Sequence, residues 1–297
     1  MRVFVTGATG FVGSAVVQEL LNAGHKVLGL ARSEAGAASL AAAGAEVLRG
    51  SLEDLDSLRR GVLAADGVIH TAFNHDFSKF AENAAAERRA LEAIGTSLEG
   101  SERPLIVTSG VALLAPGRIA NEADVRAPNP ALPRDPEEVA SALTASGLRA
   151  SVVRLAPSVH GVADHGFIPR LIAIAREKAV SAYVGDGLNR WPGVHRLAAA
   201  AVYRLALEKS EAGARYHAVA EQGVPFKEIA GVIGRRLNVP VVSMRPDEAN
   251  EHFGWFAMFT GMDVPASSQR TQELLGWRPS GPALLADIDQ PGYYAQV

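Results

Sequence analysis

Residues 1–13 read MRVFVTGATGFVG. Arg2 to Val5 is a short run of β-branched and aromatic residues suited to a buried strand. Glycines follow at 7, 10 and 13. From Phe11 to Ala23 apolar residues recur at helical spacing (Val12, Val16, Val17, Leu20, Leu21), and Gly24 ends the run. Strand, glycine turn and helix in that order give each glycine a physical role. Gly7 lets the chain leave the strand sharply. Gly10 leaves the backbone approachable without a Cβ. Gly13 lets the helix lie close on the sheet. The helix start then offers free N–H groups and the positive end of its dipole to an anion such as a diphosphate.

Composition narrows the possibilities around this turn. The chain has 297 residues, enough for one large α/β domain or a core with a smaller appendage. A net charge of −3 gives no reason to expect nucleic acid or an anionic membrane as partner. There is no cysteine, so disulfides, thiolate nucleophiles and cysteine-bound metals are excluded. No apolar run approaches the length of a membrane span. Met1 leads straight into the strand without a basic leader, so a cytoplasmic protein is expected.

The same rhythm continues along the chain. Strands are expected at Lys26–Ala31, Glu46–Leu48, Gly67–Thr71, Pro104–Thr108 and Ala150–Leu155. Helices are expected at Glu34–Ala43, Asp54–Gly61, Phe77–Leu98 and Glu137–Ser146, with Asp54 and Asp135 as N-caps. Such alternation with short connections demands a doubly wound parallel sheet, an α/β Rossmann fold. Pro116 to Pro136 breaks the rhythm with five prolines and no periodicity, and reads as a long functional loop. Beyond Gly161 mainly helical segments follow: 167–178, 195–208, 226–238, 246–259 and 268–276. Short strands are expected at 181–184, 216–218 and 239–243. The division is then a dinucleotide-binding domain at 1–162, with part of 195–220 returning to it, and a substrate lobe at 163–297.

In such sheets ligands bind beyond the C-terminal strand ends. Gly7, Thr9, Gly10, Phe11, Val12 and Gly13 are expected at the diphosphate. Arg32 ends the second strand, where NAD-specific sites place an acid for the ribose hydroxyls. A guanidinium cannot accept those bonds but binds a 2′-phosphate, which argues for NADP over NAD. The competing reading is a solvated arginine with Glu34 close by. Ser51 and Leu52 are expected near the adenine, and Ala72 and Phe73 near the second ribose and phosphate.

These residues resemble a family. TGATGFVG at 6–13, GSLED at 50–54, HTA at 70–72, VTSG at 107–110 and RLAPSVHG at 154–161 are similar to the extended short-chain dehydrogenases/reductases, the NAD-dependent epimerase/dehydratase group. GDGLNRWPGVHR at 185–196 is similar to the family's glycine-plus-basic stretch before the helix that closes the substrate pocket. The resemblance implies a dinucleotide and a small-molecule substrate, with Pro157, Ser158 and Val159 beside the carboxamide. It also implies a catalytic Tyr-x-x-x-Lys pair with a Ser or Thr. Here the chain departs: no Tyr lies between residues 1 and 182, and no Lys between Lys79 and Lys178. The family's Ser/Thr position aligns with Gly110, just after Ser109 and Thr108, the latter expected at the cofactor.

Other groups are therefore candidates for the chemistry. Ser109 is either an oxygen-binding hydroxyl or a structural one. Arg134 opens the helix that would carry the missing Tyr, and either polarises a substrate oxygen or pairs with Glu138 four residues on. His160 stands where the family commonly has Tyr, and is either a proton donor or a turn residue. His165, Asn189, Arg190, Trp191 and His195 are expected at the substrate pocket or as loop anchors, with Trp191 also readable as core. His70, His75 and Asp76, and likewise His160, Asp164 and His165, lack a metal-ligand spacing, so no metal is expected. Phe253, Trp255, Phe256, Met258 and Phe259 suit an apolar substrate, a homodimer face or plain core. The functions compatible with this set are an NADP-dependent oxidoreductase of non-standard proton transfer, a non-catalytic dinucleotide-sensing protein, or an epimerase/dehydratase.

Overall fold

The alternation expected for the first half is realised in the computed structural model, which describes residues 1–112, 114, 115, 117–127 and 133–295. Pro116, Pro128 and Pro130 of the proline-rich loop lie outside the described residues. The elements run β1 (Arg2–Thr6), α1 (Phe11–Asn22), β2 (Lys26–Ala31), α2 (Glu34–Ala42), β3 (Glu46–Arg49), α3 (Leu55–Leu63), β4 (Gly67–His70), α4 (Phe80–Leu98), β5 (Leu105–Gly110), α5 (Pro136–Ala145) and β6 (Ala150–Leu155). Asp54 and Asp135 cap α3 and α5, accepting from the N–H groups of Ser57 and Glu138 at 3.1 Å each. Each such cap stabilises its helix by about 1 kcal/mol.

The second half runs β7 (Ser158–His160), α6 (Phe167–Lys178), β8 (Ser181–Val184), β9 (Arg190–His195), α7 (Arg196–Lys209), β10 (Arg215–Ala218), β11 (Glu221–Pro225), α8 (Phe226–Leu237), β12 (Val241–Met244), α9 (Pro246–Phe253), α10 (Ala257–Thr260), α11 (Gln269–Leu275), α12 (Leu284–Ile288) and α13 (Gly292–Ala295). Strand β10 pairs with β6 and completes a seven-stranded parallel sheet of order β10-β6-β5-β4-β1-β2-β3. After β3 the chain crosses to the other side of β1 and enters β4. The switch point therefore lies between β1 and β4, in register Thr6 to His70.

Side chains alternate across this sheet and both faces are buried. Val3 and Val5 of β1 join α1 and α7 in one core, while Phe4 joins α3, α4 and α5 in the other. A third core around Trp191, Phe226 and Phe256 holds the C-terminal region together. Two features there differ from expectation. Strands β7, β9 and β11 form a small sheet where only a turn and loops were foreseen. They contain Pro192, Gly193, Gly223 and Pro225, poor strand formers that pair because tertiary contacts hold them. The single helix expected at 246–259 is broken: Gly254, at φ +58°, ends α9, and one 3₁₀ turn leads into α10. Among the described residues no helix is long and apolar enough to cross a membrane.

Candidate functional site

The glycine turn sits at the switch point. Gly7 has φ +66°, and a Cβ there would come within 2.7 Å of the Ala72 nitrogen and the Thr71 hydroxyl. At Gly13 a Cβ would come within 2.0 Å of the Gly7 carbonyl. At Gly10 it would meet only that same carbonyl, at 3.2 Å, so the turn presents bare backbone outward. Gly10 caps α1 without a side chain, and the first bond of the helix runs from Ser14 N–H to Gly10. The N–H groups of Phe11, Val12 and Gly13 are thus available to an anion. This cradle fits a dinucleotide diphosphate, and Thr9 flanks it against the start of α2, its Cγ2 3.1 Å from where a Cβ at Gly36 would stand.

At the end of β2, Arg32 is exposed and has no ion pair or hydrogen bond among the described residues. Glu34 is drawn to Arg49 instead, at 2.8 Å, and Arg49 also bonds the Ser33 carbonyl. Ser51 and Leu52 form the turn after β3, where the Ser51 hydroxyl accepts from Asp54 N–H at 3.3 Å. Leu52 leans on the core beside α3.

A second cluster of side chains is built from β4, β5, α4 and the loops that follow β4 and precede α5. Arg134 donates to Glu87 Oε1 at 2.6 Å and stacks over Phe73, its guanidinium carbon 4.4 Å from the ring centroid. The expected Arg134–Glu138 pair does not form. Glu138, exposed on the outer side of α5, bonds Arg88, whereas Arg134 precedes the helix and turns inward. Glu87 is buried, and burial pushes its carboxyl above the ordinary range despite the neighbouring guanidinium. Beside it His70 is fully buried, its Nδ1 at 2.9 Å from the Thr6 hydroxyl. Burial first, then the Arg134 charge, holds His70 down to about 3, so it is neutral at working pH. Glu87 was not singled out from the sequence. Its signal was there: it occupies the buried stripe of α4 between Ala84 and Leu91, where a carboxylate needs a partner.

Two candidates on β5 part company. Thr108 turns inward, donating to the His70 carbonyl at 2.7 Å and meeting the Tyr203 hydroxyl at 2.9 Å, so its hydroxyl is not presented to a cofactor. Ser109 is half-buried at the strand end and makes no side-chain hydrogen bond among the described residues. Arg134 reaches the Thr108 carbonyl at 3.4 Å, which brings it next to Ser109.

His160 is corrected. It is fully buried, its Nδ1 donates to Asp287 at 2.8 Å, and its ring packs on His195 at 5.5 Å. Tyr293 also donates to Asp287, at 3.0 Å, and accepts from Gly161 N–H at 2.7 Å. This network fastens the C-terminal segment onto β7, which leaves His160 no access to a substrate. Ser158 is likewise buried in β7, between half-buried Pro157 and Val159. Arg190 is held bidentately by Asp263 at 2.9 and 2.8 Å, and Asn189 donates to the carbonyls of Thr260 and Met262. Both are loop anchors. Trp191 is core. His165, by contrast, is exposed and packs edge-on against Phe11 at 5.7 Å. In the apolar stripe Phe253 and Phe256 are buried, while Trp255 and Met258 are exposed on a groove of about 270 Å³.

A seven-stranded parallel sheet whose switch point carries this cradle defines a dinucleotide-binding Rossmann protein. The family model "NAD dependent epimerase/dehydratase family" matches residues 3–130. The uncharacterized protein C2A9.02 of Schizosaccharomyces pombe is 53% identical, over 99% of this chain and 100% of its own. A 4-hydroxy-2-methyl-3-oxo-4-farnesyl-3,4-dihydroquinoline-1-oxide ketoreductase of Stigmatella aurantiaca is 28% identical, over 90% of this chain and 84% of its own. The solved dTDP-glucose 4,6-dehydratase DesIV of Streptomyces venezuelae, with NAD bound, shares the fold at TM-score 0.78 and 20% identity, covering 99% of this chain and 97% of its own. Residues 3–130 thus form an NAD-dependent epimerase/dehydratase family domain.

Proposed function

We propose that the protein is an NADP-dependent oxidoreductase that reduces a carbonyl, or oxidises the matching alcohol, on a small apolar molecule. The observation that carries this reading is Arg134, held by buried Glu87, stacked on Phe73 and adjacent to the free hydroxyl of Ser109. These groups stand at the C-terminal ends of β4 and β5, where a reacting group lies in such sheets. Bound dinucleotide supplies the hydride chemistry.

The chain's residues do the rest. Arg134 polarises the substrate oxygen with a fixed positive charge, and Ser109 donates a hydrogen bond to it. A guanidinium keeps its own protons at working pH, so the proton comes from water rather than from Arg134. Unpaired Arg32 supports NADP over NAD, since Glu34 is already engaged by Arg49. The exposed Trp255 and Met258 on the lobe support an apolar substrate, as does the ketoreductase relative with its farnesyl-bearing substrate.

The test is NADPH oxidation against a panel of carbonyl compounds with wild type, Arg134→Ala and Ser109→Ala. Turnover that falls in both variants supports the reading. The missing Tyr and Lys favour a second reading, a protein that senses the dinucleotide without turning it over. Tight NADPH binding with no turnover on any compound would establish that reading in place of the first. An epimerase/dehydratase would instead convert a sugar nucleotide with no net NADPH consumption.

A further inference from the structure

We propose that Arg196, from the C-terminal region, is a clamp on the diphosphate held by the glycine turn. The proposal rests on the dinucleotide reading above and adds to it a residue outside the glycine motif. Arg196 opens α7 directly after β9. Its guanidinium carbon lies 5.1 Å from the ring centroid of Phe11, the first residue of α1. The aliphatic stem crosses Gly161, where a Cβ would stand 3.2 Å from both Cγ and Cδ of the arginine. His165 rests on the same Phe11 ring.

The charge of Arg196 is unanswered. Other inward-lying arginines are answered: Arg134 by Glu87, Arg154 by Glu137, Arg190 by Asp263, Arg204 by Glu19, and Arg103 by the carbonyls of Val62, Ala65 and Ser97. Among the described residues Arg196 has no carboxylate partner and donates no hydrogen bond. Neither α7 nor α1 carries an acid in its first turn. A half-buried cation beside the positive ends of two helices is unfavourable unless an anion joins it. The backbone N–H groups of Phe11, Val12 and Gly13 are free at the same helix start, and Phe11 carries the ring that Arg196 covers. A diphosphate there meets backbone donors from the sheet side and a guanidinium from the lobe side. Bidentate donation to phosphate is what a guanidinium does best.

Calorimetric titration of the full-length protein with NADPH and with adenosine 2′-monophosphate, which lacks the diphosphate, separates this contact from the others. Arg196→Ala is expected to weaken NADPH about 10- to 100-fold and leave adenosine 2′-monophosphate within about twofold of wild type. Arg196→Lys, which keeps the charge and the stem, is expected to fall between the two. Its melting temperature should match wild type, which guards against misfolding of the alanine variant. The salt dependence of NADPH binding is also expected to flatten in Arg196→Ala. Unchanged NADPH affinity, or equal loss for both ligands in a folded variant, overturns the proposal alone. Wild type that binds no dinucleotide overturns it together with the reading beneath it.

Discussion

The two ends of the ligand crevice are built by different means. At the diphosphate end the work is done by backbone: three glycines, a helix start and a strand end, all within residues 6–13. At the proposed reaction end it is done by side chains drawn from Phe73, Glu87, Ser109 and Arg134, spread over α4, β5 and two loops. The first end tolerates no added atom at Gly7 or Gly13, where a Cβ would sit 2.7 Å from the Ala72 nitrogen and 2.0 Å from the Gly7 carbonyl oxygen. The second is held by a pair of opposite charges in a dry setting, Glu87 buried and Arg134 mostly so. Under the proposed function, backbone geometry fixes what is bound, and a buried ion pair fixes what can be done to it. The Tyr-x-x-x-Lys pair that the family resemblance implies would belong to the second end, which is where this chain departs.

The sharpest way to break this division is Gly13→Ala. The clash would force α1 off β1, and NADPH affinity is expected to fall by roughly 100-fold or more, with a lower melting temperature. Near-normal binding by fluorescence titration would mean that the turn is not the cradle. Glu87→Gln attacks the other end. It leaves a buried guanidinium without its counter-charge, so a loss of about 3 kcal/mol in chemical denaturation is expected, with NADPH affinity little changed. A variant as stable as wild type would show that the ion pair is not what holds Arg134. Arg32→Ala trims the adenosine side, and is expected to weaken NADPH about 10- to 100-fold while leaving NADH nearly unaffected. Equal losses for both cofactors would remove the case for NADP.

The smallest effect belongs to neither end. Burial raises Asp164, on the loop before α6, from 3.8 to about 7. The folded protein then keeps a proton that the unfolded chain has lost, so this contribution to stability is present below about pH 4 and disappears as pH rises through about 7. Asp164→Asn is expected to flatten that decline in thermal melts across the same range, without altering NADPH affinity. A pH profile identical to wild type would count against a buried neutral carboxyl.

The sequence made one end far more legible than the other, for physical reasons. A glycine turn is local, and each residue's role follows from its neighbours in the chain, so β1, the turn and α1 could be read directly. The parallel sheet followed from the alternation of elements. Pairing between distant side chains leaves no such trace. Glu87 sits 47 residues from Arg134, and local spacing pointed Arg134 to Glu138 instead. His160 invited a catalytic reading because of its position after β6, whereas Asp287, which holds it, comes from the far end of the chain. Strands β7, β9 and β11 escaped notice because their prolines and glycines hide pairings that only the folded lobe enforces.

Separability of the two ends is tested most directly by measuring NADPH affinity and turnover on the same preparation of Arg134→Ala, with the best carbonyl substrate found for wild type. The dissociation constant is expected to stay within about threefold of wild type while turnover drops by about 100-fold or more. Full turnover, or a loss of NADPH binding that accounts for the whole effect, would contradict the assignment of Arg134 to the chemistry.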